Sequence, residues 1–135
     1  MKWSYTIARV FGIPIKVHLT FFLLLVFVAL SQTQVGKAGV GVLTIILVFA
    51  CVVLHELGHS VVAMYYGIKI RDIVLLPIGG VARMESMPED PRHEIAIAVA
   101  GPSVSAALAI LFLILAVVSH QIDHLVEESL FSGRL

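Results

Sequence analysis

Apolar residues gather into three long runs, separated by short segments with their own patterns. The first run extends from about Leu19 to Leu30 and is broken only by Thr20. The second extends from about Val40 to Tyr66, and the third from about Ile95 to Ser119 without a single charge. A helix needs about 20 apolar residues to cross a bilayer. The second and third runs meet that length, and the first reaches it only with its flanks. The pattern predicts spans over about 18–33, 39–66 and 93–119. Before the first run, Ile13-Pro14-Ile15-Lys16-Val17-His18 alternates as a half-buried strand does. Between the second and third, Ile68-Lys69-Ile70-Arg71 alternates and Ile73 to Leu76 is fully apolar. Pro77, Gly79 and Gly80 then mark a turn, or a backbone that something approaches closely. Short interfacial strands or a re-entrant loop fit this segment, with a plain surface hairpin as the alternative. Asp90 as a cap, Pro91 at the first helical position and Glu94 in the first turn predict the start of the third helix. The fold class expected is an all-α polytopic membrane protein, with about three transmembrane helices and short interfacial or membrane-embedded β-strands.

Composition agrees with a bilayer as solvent. Of 135 residues, 59% are hydrophobic and 13% charged, against about 45–50% and 25% in soluble domains. Mean hydropathy is +1.02. The formal net charge is zero, which argues against a nucleic-acid partner. Cys51 is the only cysteine, so no internal disulfide can form. Basic residues are unevenly placed. Lys2, Arg9 and Lys16 precede the first run, and Lys69, Arg71, Arg83 and Arg92 lie between the second and third. Only Lys37 and Arg134 fall on the other side of a three-span arrangement. The positive-inside rule then puts the N-terminus and the linker in the cytoplasm, with Trp3, Tyr5, Tyr65 and Tyr66 as interfacial anchors. A competing reading takes the first run as a cleaved signal peptide ending near Ala29-Leu30-Ser31.

The second run carries His55-Glu56-Leu57-Gly58-His59. On a helix, positions i and i+4 share a face, so both imidazoles can meet one metal ion, with Glu56 beside them. In zinc hydrolases this spacing leaves an open position for water. The metal makes that water acidic near pH 7, and the Glu acts as general base. Elsewhere the pattern occurs by chance. Here it follows about 22 Å of apolar helix from Val40 to Leu54, with about 10 Å remaining after His59. Polar residues at such depth cost several kcal/mol unless paired or metallated. The alternative is a metal-free polar cluster bridging helices. Gly58 leaves the helix surface bare for a substrate or another backbone. Cys51 shares the face of His55 and reads as a small apolar filler. His120 and His124 repeat the i, i+4 spacing around Asp123, and read as a solvated helix end; His18 and His93 read as interfacial.

These residues resemble the site-2 protease family of intramembrane zinc metalloproteases. The motif falls late in the second apolar run, as it does there. Gly12-Ile13-Pro14-Ile15 is similar to the family's N-terminal strand. Pro77-Ile78-Gly79-Gly80-Val81-Ala82 resembles its membrane-embedded strand region, and Gly101-Pro102-Ser103-Val104-Ser105 its Gly-Pro-x-x-Asn segment. The resemblance implies that residues 1–135 form the N-terminal part of a single transmembrane metalloprotease domain in a prokaryotic cell membrane. It implies hydrolysis of peptide bonds within the transmembrane segments of membrane-anchored substrates. Glu56 would be the catalytic residue and His55 and His59 the zinc ligands, with Gly79, Gly80 and Ser105 contacting substrate. The partners implied are a transmembrane protein substrate and the lipid bilayer, with homo-oligomerisation left open. Ser105 stands where many members carry Asn. The family's third zinc ligand is an Asp in a later Asp-Gly segment; this sequence has no Asp-Gly, so that ligand is expected beyond Leu135. A binding or regulatory homologue that does not cleave, and a metal transporter or sensor, are the competing functions.

Overall fold

The computed structural model describes residues 3–31 and 37–133. Lys2, Arg134 and the end of the first expected span at residues 32–33 lie outside them. The elements in chain order are β1 (Ser4–Val10), β2 (Ile13–His18), α1 (Leu19–Ser31), α2 (Lys37–Tyr65), β3 (Ile70–Leu76), β4 (Gly79–Met84) and α3 (Pro91–Ser132). The protein is mostly helical, and the short strands expected beside the helices gather into one small sheet. Ile13, Ile15 and Val17 of β2 with Ile73 and Leu75 of β3 supply the apolar face that α2 covers, and β1 and β4 pair on either side of them.

The sheet has the order β1-β2-β3-β4. Its outer pairs are antiparallel, and β2 runs parallel to β3 in the register Ile15↔Ile73, Lys16↔Val74, Val17↔Leu75. A parallel pair requires a long crossover, and here it is made by α1 and α2. Ile13, Ile15 and Val17 alternate inward along β2. Ile13, Ile15 and Ile73 pack on Leu57 of α2, while Val17 and Leu75 pack with Phe21 of α1 and Phe49 of α2. Both clusters sit between the sheet and α2, so burial of these side chains fixes the sheet against the helix that carries the His-Glu motif. The strand expected before the first run is β2. Its partner β1 is not singled out by the sequence, because Tyr5 and Ile7 on it remain exposed.

Two helices, α2 and α3, are long and apolar enough to cross a membrane among the described residues. Only 11% and 6% of their most apolar windows are buried. At 13 residues, α1 rises about 20 Å, less than the bilayer core of about 30 Å. Two helices of spanning length thus stand among the described residues, and α1 by itself falls short of a full span. Asp90 caps α3 as expected, its carboxylate accepting from the Arg92 backbone N–H, with Pro91 in the first turn. The helix continues past Ser119 to Ser132. Apolarity ends there, but helical hydrogen bonding does not depend on it.

On the sheet face away from α2, Asp72 is fully buried. Its carboxylate accepts from the Arg83 guanidinium through both oxygens and lies 3.1 Å from Lys16 Nζ. The Arg83 hydrogen bonds hold the Asp72 carboxyl below its ordinary pKa, against the opposing effect of burial, with Lys16 adding to the depression. One carboxylate thus ties β2, β3 and β4 together. A lowered folded-state pKa supplies stability above the unfolded value, and that stability is lost as pH falls through the folded value. Thermal melting in detergent should hold steady from neutral pH down to about 4, the ordinary Asp range, and then decline. Asp72→Asn should lower stability by roughly 1–3 kcal/mol at neutral pH, less than for a fully enclosed pair because Lys16 and Arg83 still reach solvent. The same substitution should also flatten the acid decline.

Candidate metal centre and active site

Every residue of the expected site lies on α2, α3 or β4. The arrangement begins with glycine. A Cβ on Gly58 would lie 2.9 Å from the Ala100 carbonyl oxygen and 2.8 Å from Val104 Cγ2. The bare surface at Gly58 is thus filled by the backbone of α3. A Cβ on Gly101 would stand 2.2 Å from His59 Nε2. The two glycines let α3 approach α2 closely enough for its polar groups to reach the imidazoles.

Those groups bind the rings from behind. His59 Nδ1 lies 2.6 Å from the Ile97 carbonyl oxygen. A carbonyl only accepts, so Nδ1 carries the proton and the Nε2 of neutral His59 is a bare lone pair. His55 Nδ1 lies 2.7 Å from Ser105 Oγ. The two Nε2 atoms converge to 3.2 Å, with ring centroids 4.8 Å apart. Two lone pairs at that separation repel unless a cation or a proton stands between them. Nitrogen ligands about 2.0–2.1 Å from a tetrahedral zinc are spaced by a closely similar distance. Partners for the far nitrogens are also what metal-binding histidines require. The two residues therefore fit a zinc ion. Among the described residues no group of three or more His, Cys, Asp or Glu is placed to hold a metal.

Glu56 sits on the neighbouring face of α2, against β4. A Cβ on Gly80 would lie 3.2 Å from Glu56 Cγ and 3.0 Å from Val52 Cγ1. The close approach expected at the Gly79-Gly80 pair is thus made, at Gly80, by α2 itself. Gly79 instead turns the chain, with φ 138° and open space around it. Pro77 and Ile78 form the tip of the β3–β4 hairpin, and Ile78 is 92% exposed. As the last strand in the sheet, β4 has one unpaired backbone edge beside Glu56. None of the ion pairs among the described residues involves Glu56.

Cys51 is a free, half-buried thiol that lines a cavity of about 420 Å³ with Val48, Val52, His55 and Ser105. His120 and His124 stand exposed on the far part of α3, about 28 Å of helix beyond Gly101, and do not join the site. His18 bonds Thr20, and His93 stacks on Tyr66 with centroids 3.8 Å apart. Sequence reasoning missed Ile97, whose contribution is a backbone carbonyl.

The site is thus a helix-borne His pair backed by a second helix of membrane-spanning length, with the Glu56 carboxylate packed against β4. Residues 43–132 match the family described as Peptidase family M50. This chain belongs to that family, the site-2 proteases. It is 46% identical over 114 residues to a zinc metalloprotease of Methanocaldococcus jannaschii, an alignment covering 84% of this chain and 33% of that protein. It is 40% identical over 132 residues to a putative zinc metalloprotease of Synechocystis, covering 90% and 34%. Among solved structures it resembles the site-2 protease of Methanocaldococcus jannaschii with a TM-score of 0.64 and 42% identity, covering 84% of this chain and 51% of that one. The chain therefore spans about a third of the curated relatives' length.

The glycine contacts give a test. Gly101→Ala should push the His59 ring off its Ile97 partner and weaken zinc binding by at least about tenfold, the usual effect of disturbing a ligand's support. Gly39→Ala, which meets no neighbour, should leave zinc affinity unchanged. Competition with a chromogenic chelator measures both.

Proposed function

We propose that the complete protein is an intramembrane zinc metalloprotease that hydrolyses peptide bonds within the transmembrane segments of membrane-anchored proteins. The observation that carries this reading is the pair of His Nε2 atoms 3.2 Å apart beside Glu56, on a helix whose preceding turns are apolar. Family membership supports it.

Zinc held by His55, His59 and a carboxylate from beyond Leu135 would supply Lewis acidity and make water a nucleophile near neutral pH. Glu56 takes the proton from the attacking water and returns it to the departing amide nitrogen. Its engagement with β4 through Gly80 fixes where that proton is held. A peptide bond inside a helix is shielded, so the substrate must be extended before attack. The free edge of β4 offers backbone donors and acceptors to a strand laid beside it, the mode of β-augmentation. Gly79 and Gly80 keep that stretch free of side chains. The apolar, exposed surfaces of α2 and α3 supply the bilayer contact, and α1 with its flanks completes a third crossing. The distribution of Lys and Arg puts β1 to β4 and the site on the cytoplasmic side.

Glu56→Gln should abolish cleavage of a model transmembrane substrate, a loss of at least about 10²-fold as for removal of a general base, while zinc content stays that of the wild type. Cleavage at the wild-type rate would refute the role of Glu56. A wild-type protein that binds zinc and the substrate but never cleaves would favour the regulatory reading.

A further inference from the structure

Most serines and threonines within these helices follow one rule, from which Ser105 departs. Thr44 Oγ1 donates to the Val40 carbonyl, Ser60 Oγ to Glu56, Ser103 Oγ to Val99 and Ser129 Oγ to Val126. Each returns to its own helix three or four residues back, the usual solution for a hydroxyl in an apolar setting. Ser105 does not. Its Oγ crosses to α2 and lies 2.7 Å from His55 Nδ1.

We propose that Ser105 is a positioning residue for zinc: it accepts the His55 Nδ1 proton, fixes the ring's tautomer and aims Nε2 at the metal. The sequence-based expectation put Ser105 on the substrate. Its hydroxyl instead lies behind the His55 ring, on the nitrogen that faces away from the Nε2 pair. The role parallels that of the Ile97 carbonyl at His59. Both ligands are thus oriented from α3, one turn of contact on each side of Gly101. A carbonyl can only accept, so His59 has its tautomer imposed. A hydroxyl can donate or accept, so His55 keeps its Nδ1 proton only while Ser105 acts as acceptor. Bound zinc selects that state, because it occupies Nε2 and leaves Nδ1 as the protonated nitrogen.

This inference rests on His55 and His59 being zinc ligands, and extends it to a residue that touches neither metal nor substrate. The test uses the full-length protein in detergent, with zinc affinity read by chelator competition and folding by thermal melting. Ser105→Ala should weaken zinc binding by about 10–100-fold. Ser105→Thr, which restores a hydroxyl, should stay within about threefold of the wild type. Ser105→Val, of the same shape as Thr but without the hydroxyl, should behave like Ala. The Thr and Val pair decides the matter even where Ala perturbs the fold. Equal zinc affinity in Thr and Val variants overturns the proposal. So does a variant whose kcat is unchanged while KM rises, since that would assign Ser105 to substrate. If no protein, wild type included, cleaves a membrane substrate, the protease reading fails while the zinc affinities still decide the role of Ser105.

Discussion

The architecture depends on the close contact of α2 and α3 across Gly58 and Gly101. Imidazoles in an apolar helix are costly unless each polar atom is engaged. The contact solves this from one side. It brings the Ile97 carbonyl to His59 and the Ser105 hydroxyl to His55, so both Nδ1 atoms are satisfied by α3. Both Nε2 atoms are left to converge on one point. A Cβ at either glycine would meet atoms closer than 3.0 Å, so the contact tolerates no side chain there. Ring orientation and helix packing are therefore one constraint expressed twice.

The sheet supplies the second half of the site. Its core, built from Ile13, Ile15, Val17, Ile73 and Leu75, presses on α2 around Leu57 and Phe49. That places Gly80 against Glu56 and holds an unpaired strand edge beside the carboxylate. On the opposite face, Asp72 binds Arg83 and Lys16 and joins three of the four strands. Asp72 is consequently engaged in the sheet and is not a candidate ligand for the metal, which agrees with its position away from the His pair.

Much of this was legible in the sequence. The i, i+4 spacing of His55 and His59 fixes their shared face, and the apolar turns before them give their depth. The cap at Asp90 and the strand at Ile13 to His18 follow from local chemistry and from period-two alternation. The lost parts have physical causes. The strand β1 exposes apolar residues on a face that neither helix covers, so its pattern does not separate inside from outside. The parallel pairing of β2 with β3 joins segments separated by two helices, and alternation carries no register across such a distance. The helix α3 runs on beyond the third apolar run, since apolarity marks a span and says nothing of where helical hydrogen bonding ends. Ile97 was invisible because a backbone carbonyl leaves no trace in side-chain type. Ser105 was seen, but the sequence puts it near the site without saying which ring nitrogen it meets.

Zinc X-ray absorption on the full-length protein tests the central claim most directly. The account predicts one bound zinc with two imidazole nitrogens at about 2.0–2.1 Å, oxygen ligands completing a tetrahedral shell, and loss of the metal in His55→Ala or His59→Ala. A sulfur scatterer at about 2.3 Å, which would bring in Cys51, or zinc retained after both histidines are replaced, would contradict it.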